Sequence, residues 1–225
     1  MTAKLTGWLR DARIAGWVAL LPLVYFAAEW IVAATWRGRY DYDADLLGPL
    51  GVAFCGPDGR WPCSALYPAM NAALVVTGLA IMFVAAGFAA RRVTQLGHAV
   101  LLLIAGAGLA VSGIVTNGVH YAWNLTAISV FLTFGSVSVL FIAMDSTCSL
   151  SGERRGVAVV AGIVSVVGYF AYLGQHELVG AGGAQRMAIY GILVAVIALG
   201  TSGLRRDPQA HGSGSTPVET VRGPG

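Results

Sequence analysis

Charged side chains are scarce in this chain. Asp, Glu, Lys and Arg make up 11% of its 225 residues, where a soluble domain carries about 25%. Lysine is reduced to Lys4 alone. The 14 basic residues are scattered singly or in pairs, so no basic tract speaks for a nucleic-acid partner. HExxH, GxSxG, Walker-loop and CxxC patterns are all missing. Zinc-peptidase, serine-hydrolase, nucleotide-dependent and dithiol chemistry therefore have no local signature, and no cofactor is implied. Three cysteines are present, with no second Cys or His pair at zinc-ligand spacing beside them, so no metal is implied either. No internal repeat is recognisable, which weakens an inverted-repeat transporter reading.

What fills the chain instead is apolar: 56% of residues are hydrophobic and the mean hydropathy is +0.71. A bilayer core about 30 Å thick needs roughly 20 apolar residues in a helix. Six stretches qualify, at about 14–36, 66–90, 96–116, 119–144, 157–173 and 187–204. The expected fold is an all-α, polytopic six-helix bundle occupying residues 14–204. The first stretch is longer than the 7–15 apolar residues of a signal peptide and reads as a retained span. Nine basic residues (Lys4, Arg10, Arg13, Arg91, Arg92, Arg154, Arg155, Arg205, Arg206) fall on one side of the spans. Four (Arg37, Arg39, Arg60, Arg186) fall on the other. The bias predicts cytoplasmic termini and an outer loop at 37–65. Residues 1–13 read as a cytoplasmic segment, and 205–225, rich in Gly, Pro, Ser and Thr, as a disordered cytoplasmic tail. The paucity of Lys against Arg, Ala, Gly and Val points to a GC-rich bacterial genome, hence a bacterial plasma membrane. Asn117-Gly118 between spans three and four is a turn signal that predicts a tight antiparallel hairpin.

Cys55 and Cys63, eight positions apart in the outer loop, are expected to form a disulfide, because extracytoplasmic thiols are oxidised. Cys148 falls on the cytoplasmic side, as an acylation site or an idle thiol. An ionisable group inside a span is costly and is a functional hypothesis by default. Glu29 is the one that clearly qualifies, about 10 Å below the outer end of its helix at 1.5 Å per residue. It shares a face with Tyr25 and Trp36. Other polar side chains gather at the same height. Tyr67 and Asn71 share a face of span two, and His120 and Asn124 one of span four. Gln175, His176 and Glu177 lie at the end of span five. At the opposite end only His98 and Asp145 stand near the membrane edge. Thr126, Ser129, Thr133 and Ser136 form a second stripe on span four, read as helix packing, which would make span four central.

The segment "GVAFCG…CSALYPAMNAALVVTGLAIMFVA" resembles actinobacterial members of an integral-membrane family, domain of unknown function 998. Leu50-Gly51-Val52, Cys55, Cys63, Leu66, Met70 and Asn71 match its motifs, and His120 falls on a Gly-x-x-His signature. The resemblance implies six helices over most of residues 14–204 and extends, more distantly, to the Frag1/DRAM/Sfk1 type of membrane protein, some of which handle lipids. Pro49 stands where that family carries an acid and Tyr67 where it carries a His, and the family itself implies no reaction.

Three functions fit these residues. The first is a non-catalytic protein that binds a lipid headgroup or small amphiphile at the outer leaflet through Glu29, Tyr67, Asn71, His120, Asn124 and His176. The second is a membrane-embedded hydrolase or transferase with Glu29 and His120 as acid and base. The third is a small transporter or accessory subunit of other membrane proteins. Membrane lipids are the expected partners.

Overall fold

The computed structural model describes residues 7–52, 55, 62–146, 148–174 and 179–204. Among the described residues, a helical stretch at 7–10 is followed by seven helices: α1 (Ala12–Val18), α2 (Leu23–Ala34), α3 (Tyr67–Arg91), α4 (Leu96–Ile114), α5 (Tyr121–Met144), α6 (Gly152–Leu173) and α7 (Gly180–Gly200). Two short 3-10 turns lie at Gly48–Gly51 and Thr201–Leu204. Among the described residues there is no strand, only an isolated bridge between Trp36 and Ser64. Taken as α1 with α2, then α3 to α7, six helical units are long and apolar enough to cross a membrane. The fold is the expected all-α, six-span architecture of a multi-pass membrane protein.

The first span is broken where one continuous helix was expected. Pro22 has no N–H to donate and its ring crowds the preceding turn. The chain therefore steps through i→i+3 bonds, with Leu20 N–H donating to Trp17 (3.1 Å) and Leu23 N–H to Leu20 (3.0 Å). Asp11 starts α1 by accepting from Arg13 N at 2.8 Å, an N-cap. α3 ends at Arg92, whose φ of 53° and ψ of 40° are left-handed. Val93 N–H then reaches back to Phe88 O at 3.0 Å, satisfying one of the helix's last carbonyls. Helices α6 and α7 begin earlier than hydropathy suggested, at Gly152 and Gly180, because their polar first turns are helical too.

Neighbours in sequence are neighbours in space, and small residues let them close up. A Cβ on Gly78 of α3 would stand 2.5 Å from Ala110 N of α4, and one on Gly191 of α7 would stand 2.5 Å from Ala161 O of α6. Two members of the Ser/Thr stripe of α5 pack against α6 as expected, whereas Thr126 is exposed and bonds Ala122 O of its own helix at 2.8 Å. Ser136 bonds Ser165 of α6 at 2.6 Å, and Thr133 bonds Tyr169 at 2.7 Å. The most enclosed helix is not α5, however. α7 buries 13 of its 21 residues, against 10 of 24 for α5. It touches α6, α5, α3 and α1, and the 3-10 turn after it closes the ring against α1, where Gly16 meets Leu204. Gly78→Val is expected to lower stability by about 1–3 kcal/mol through overpacking, read as an earlier unfolding midpoint in mixed micelles.

The segment between α2 and α3 plugs one end of the bundle, called here the disulfide end. Cys55 and Cys63 are bonded. Arg37 N–H donates to Cys63 O at 2.8 Å, and the Thr35 and Ser64 hydroxyls pair at 2.8 Å. Leu47 and Leu50 are buried in the main apolar core, so the 47–50 stretch of this segment is part of the core.

Candidate functional site

Glu29 lies on the buried face of α2, 1% exposed, and faces Arg186, two turns into α7 and 5% exposed. Arg186 Nε donates to Glu29 Oε1 at 2.8 Å. The Tyr190 hydroxyl, four residues on and so on the same helical face, donates to Oε2 at 2.8 Å. Arg186 Nη1 donates to the carbonyls of Tyr42 (2.6 Å) and Asp45 (2.8 Å), and Nη2 to the Tyr40 hydroxyl. Four of the five guanidinium N–H groups are thus spent. The Tyr40 and Tyr42 rings stand 5.3 and 4.9 Å from Cζ. Burial pushes the Tyr40 phenol up to about 12, with Arg186 opposing in part. Tyr40 therefore stays protonated and donates to Leu46 O at 3.1 Å.

This cluster ties α2, α7 and the loop together. Both carboxylate oxygens of Glu29 are held by donors from α7. Glu29, expected to line an open site and to serve as candidate acid or base, is a structural ion pair. Arg186, at the opening of span six, belongs to the polar residues expected at the level of Glu29, but the sequence did not show that the two face each other.

The other expected residues scatter. Asn71 Nδ2 donates to Gly51 O at 3.0 Å, holding the loop on α3. Asn124 is buried, and its Nδ2 donates to Ser112 O (3.0 Å) and Val115 O (2.8 Å) at the end of α4. His120 does not share its face as expected. It is the N-cap of α5, with φ −153° and ψ 91°, so it sits outside the helical register, exposed beside Trp123. Tyr67 is half-buried in the first turn of α3. His176 lies outside the described residues. Expected to work as a set, Glu29, Tyr67 and His120 border neither of two cavities that the described residues form at this end, whereas Asn71 borders one and Asn124 both.

The inner chamber, about 20 Å³, is bordered by Tyr25, Asn71, Ser112, Thr116, Asn117 and Asn124 among others. The outer chamber, about 100 Å³, is bordered by Asn117, Asn124, Tyr121, Leu125, Tyr172 and Gln185 among others. Gly48, Asn117, Asn124 and Ile128 border both. Tyr121 and Leu125 are 63% and 40% exposed on the flank of the bundle, so the outer chamber opens sideways between α5 and α6. Tyr121, Tyr172 and Gln185 were not singled out for a site from sequence. Only their recurrence near helix ends at one level could have signalled them.

At the opposite end, Thr94 Oγ1 donates to Asp145 Oδ2 at 3.0 Å and His98 Nδ1 stands 3.7 Å from the same oxygen, closing the α3–α4 turn onto α5. Cys148 is free and buried, 7% exposed, so acylation would first require it to open. Among the described residues no cluster of three or more His, Cys, Asp or Glu could hold a metal. Comparison with protein-family models, curated proteins and solved structures finds no match to this chain.

Proposed function

We propose that this is a bacterial plasma-membrane protein that binds a small amphiphile from the outer leaflet without chemical conversion. The observation that carries the reading is the outer chamber. It is a recess of about 100 Å³ with amides and phenols among a mostly apolar lining, opening onto the apolar flank of a six-span bundle, where a lipid-like molecule can present its head while its tail stays among the acyl chains. The bias of basic residues puts the disulfide end outside and both termini in the cytoplasm, and oxidation of Cys55 and Cys63 suits an extracytoplasmic location. Asn117, Asn124 and Gln185 supply amides, and Tyr121 and Tyr172 supply phenols.

Binding rather than catalysis is favoured because, among the described residues, no carboxylate, imidazole or thiol borders either chamber, and a general base must reach the proton it takes. Leu125→Trp, a change on the exposed flank, fills the mouth of the outer chamber. The expected outcome is that an amphiphile co-purifying with the wild type, found by mass spectrometry of organic extracts, is lost from the variant while thermal stability is retained. Identical extracts from both proteins would overturn the reading.

A further inference from the structure

The hydrogens already spent around the two chambers restrict what the site can hold. Asn124 uses both amide hydrogens on Ser112 O and Val115 O, which leaves its carbonyl oxygen, an acceptor. Ser112 donates its hydroxyl hydrogen to Leu109 O at 2.7 Å and likewise keeps only lone pairs. Tyr25 is 0% exposed, and its hydroxyl is buried with no hydrogen-bond partner. A buried polar group in that condition costs free energy until something meets it. Tyr25, Ser112 and Asn124 border the same chamber of about 20 Å³, room for about one water-sized oxygen. In the outer chamber Gln185 accepts from Leu47 N–H at 2.9 Å, which leaves its NH2 group for a ligand. Among the described residues no charged side chain borders either chamber.

Resting on the amphiphile reading above, we propose that the ligand's head is uncharged and hydroxylated, and that one of its hydroxyls occupies the inner chamber. A hydroxyl there accepts the Tyr25 proton and donates its own to the Asn124 carbonyl, so both are satisfied at once. An ammonium cannot accept the Tyr25 proton, and the carboxylate nearest to it in sequence, Glu29, is already paired with Arg186. A carboxylate or phosphate would meet only lone pairs at Asn124 and Ser112, and even with donors from Tyr25, Thr116 and Asn117 it would be equally unpaired in charge. The outer chamber then takes the rest of a small polyol head, with donors and acceptors available from Gln185, Tyr121 and Tyr172. The class that fits is the monoacylglycerols and amphiphiles with a similar polyol head.

The test compares three probes with the same eighteen-carbon tail: 1-monooleoylglycerol, oleic acid above its micellar pKa, and oleylamine. The full chain is purified in an amine-oxide detergent, because a maltoside would itself offer hydroxyls. Binding is followed by native mass spectrometry. The wild type is expected to bind monooleoylglycerol about 10-fold or more tightly than either charged probe. Tyr25→Phe removes only the partnerless hydroxyl, so it should fold with undiminished thermal stability and lose about 5–10-fold in monooleoylglycerol affinity, with the charged probes unaffected. Equal binding of the three heads overturns the inference. So does a preference that survives Tyr25→Phe, including the case in which that variant is merely less stable because the chamber holds a water only. If the heads bind equally but Leu125→Trp abolishes binding of all three, the amphiphile site stands and only its chemistry is wrong. If Leu125→Trp changes nothing, both fall.

Discussion

Arg186→Met is expected to destabilise the protein by about 3–5 kcal/mol, the cost of stripping one partner from a buried ion pair. Two effects add in this variant. Glu29 is left at 1% exposure facing only the Tyr190 hydroxyl, and it must either carry an unpaired charge or bind a proton. The loop carbonyls of Tyr42 and Asp45 also lose the donor that holds them on α7. Glu29→Gln removes the charge but keeps an acceptor for Arg186 Nε, and it leaves the loop clamp intact, so a smaller loss of about 1–3 kcal/mol is expected. The order of the two variants is therefore the informative result. Unfolding in mixed micelles measures it, and reduction of Cys55–Cys63 should be faster in Arg186→Met alone, because only there does the loop come loose. Glu29→Leu combined with Arg186→Met should be no less stable than Arg186→Met by itself, since it removes the orphaned carboxyl. Wild-type stability in Arg186→Met would mean the pair contributes nothing.

The same ion pair shows what a sequence can and cannot reveal in this chain. Helix number followed from hydropathy, because twenty apolar residues in a bilayer admit little but a helix. The Asn117–Gly118 turn, the Ser/Thr stripe on α5 and the cysteine pairing were legible because each depends on local spacing or compartment. Glu29 was recognisable as expensive, but its partner stands 157 residues away, and no periodicity within one helix reports which helix faces it. His120 and Asn124 were placed on one face by assuming that α5 had already begun at His120. The helix starts one residue later, and that single step sends the two side chains to different surroundings. The buried part of the loop was not legible for a similar reason. Leu47 and Leu50 look unremarkable in a polar stretch, and only the tertiary fold shows that they fill the end of the bundle. Asn71 and Gly51, both within the motifs that resemble domain of unknown function 998, prove to be hydrogen-bonded to each other. Their local role is to keep that plug seated on α3.

Replacing Cys55 and Cys63 together by Ser is expected to cost roughly 2–3 kcal/mol, the chain-entropy estimate for closing a loop this short. The residues that close the polar chambers hang from the same segment. Val52 lies three positions before Cys55 and packs against Gly118 in the α4–α5 turn, and Gly48 lies beside Asn117, which borders both chambers. The backbone bond from Arg37 N–H to Cys63 O does not need the sulfur and should survive the substitution. The double variant therefore separates covalent closure from docking. Its fold should persist, held by Leu47, Leu50 and the Arg186 clamp, while its affinity for monooleoylglycerol falls several-fold as the 48–52 segment loosens over the site. Unchanged affinity with lowered stability would confine the disulfide to a stabilising role. If both stayed at wild-type values, the Arg186 clamp and the Asn71–Gly51 bond alone would be sufficient to hold the loop in place.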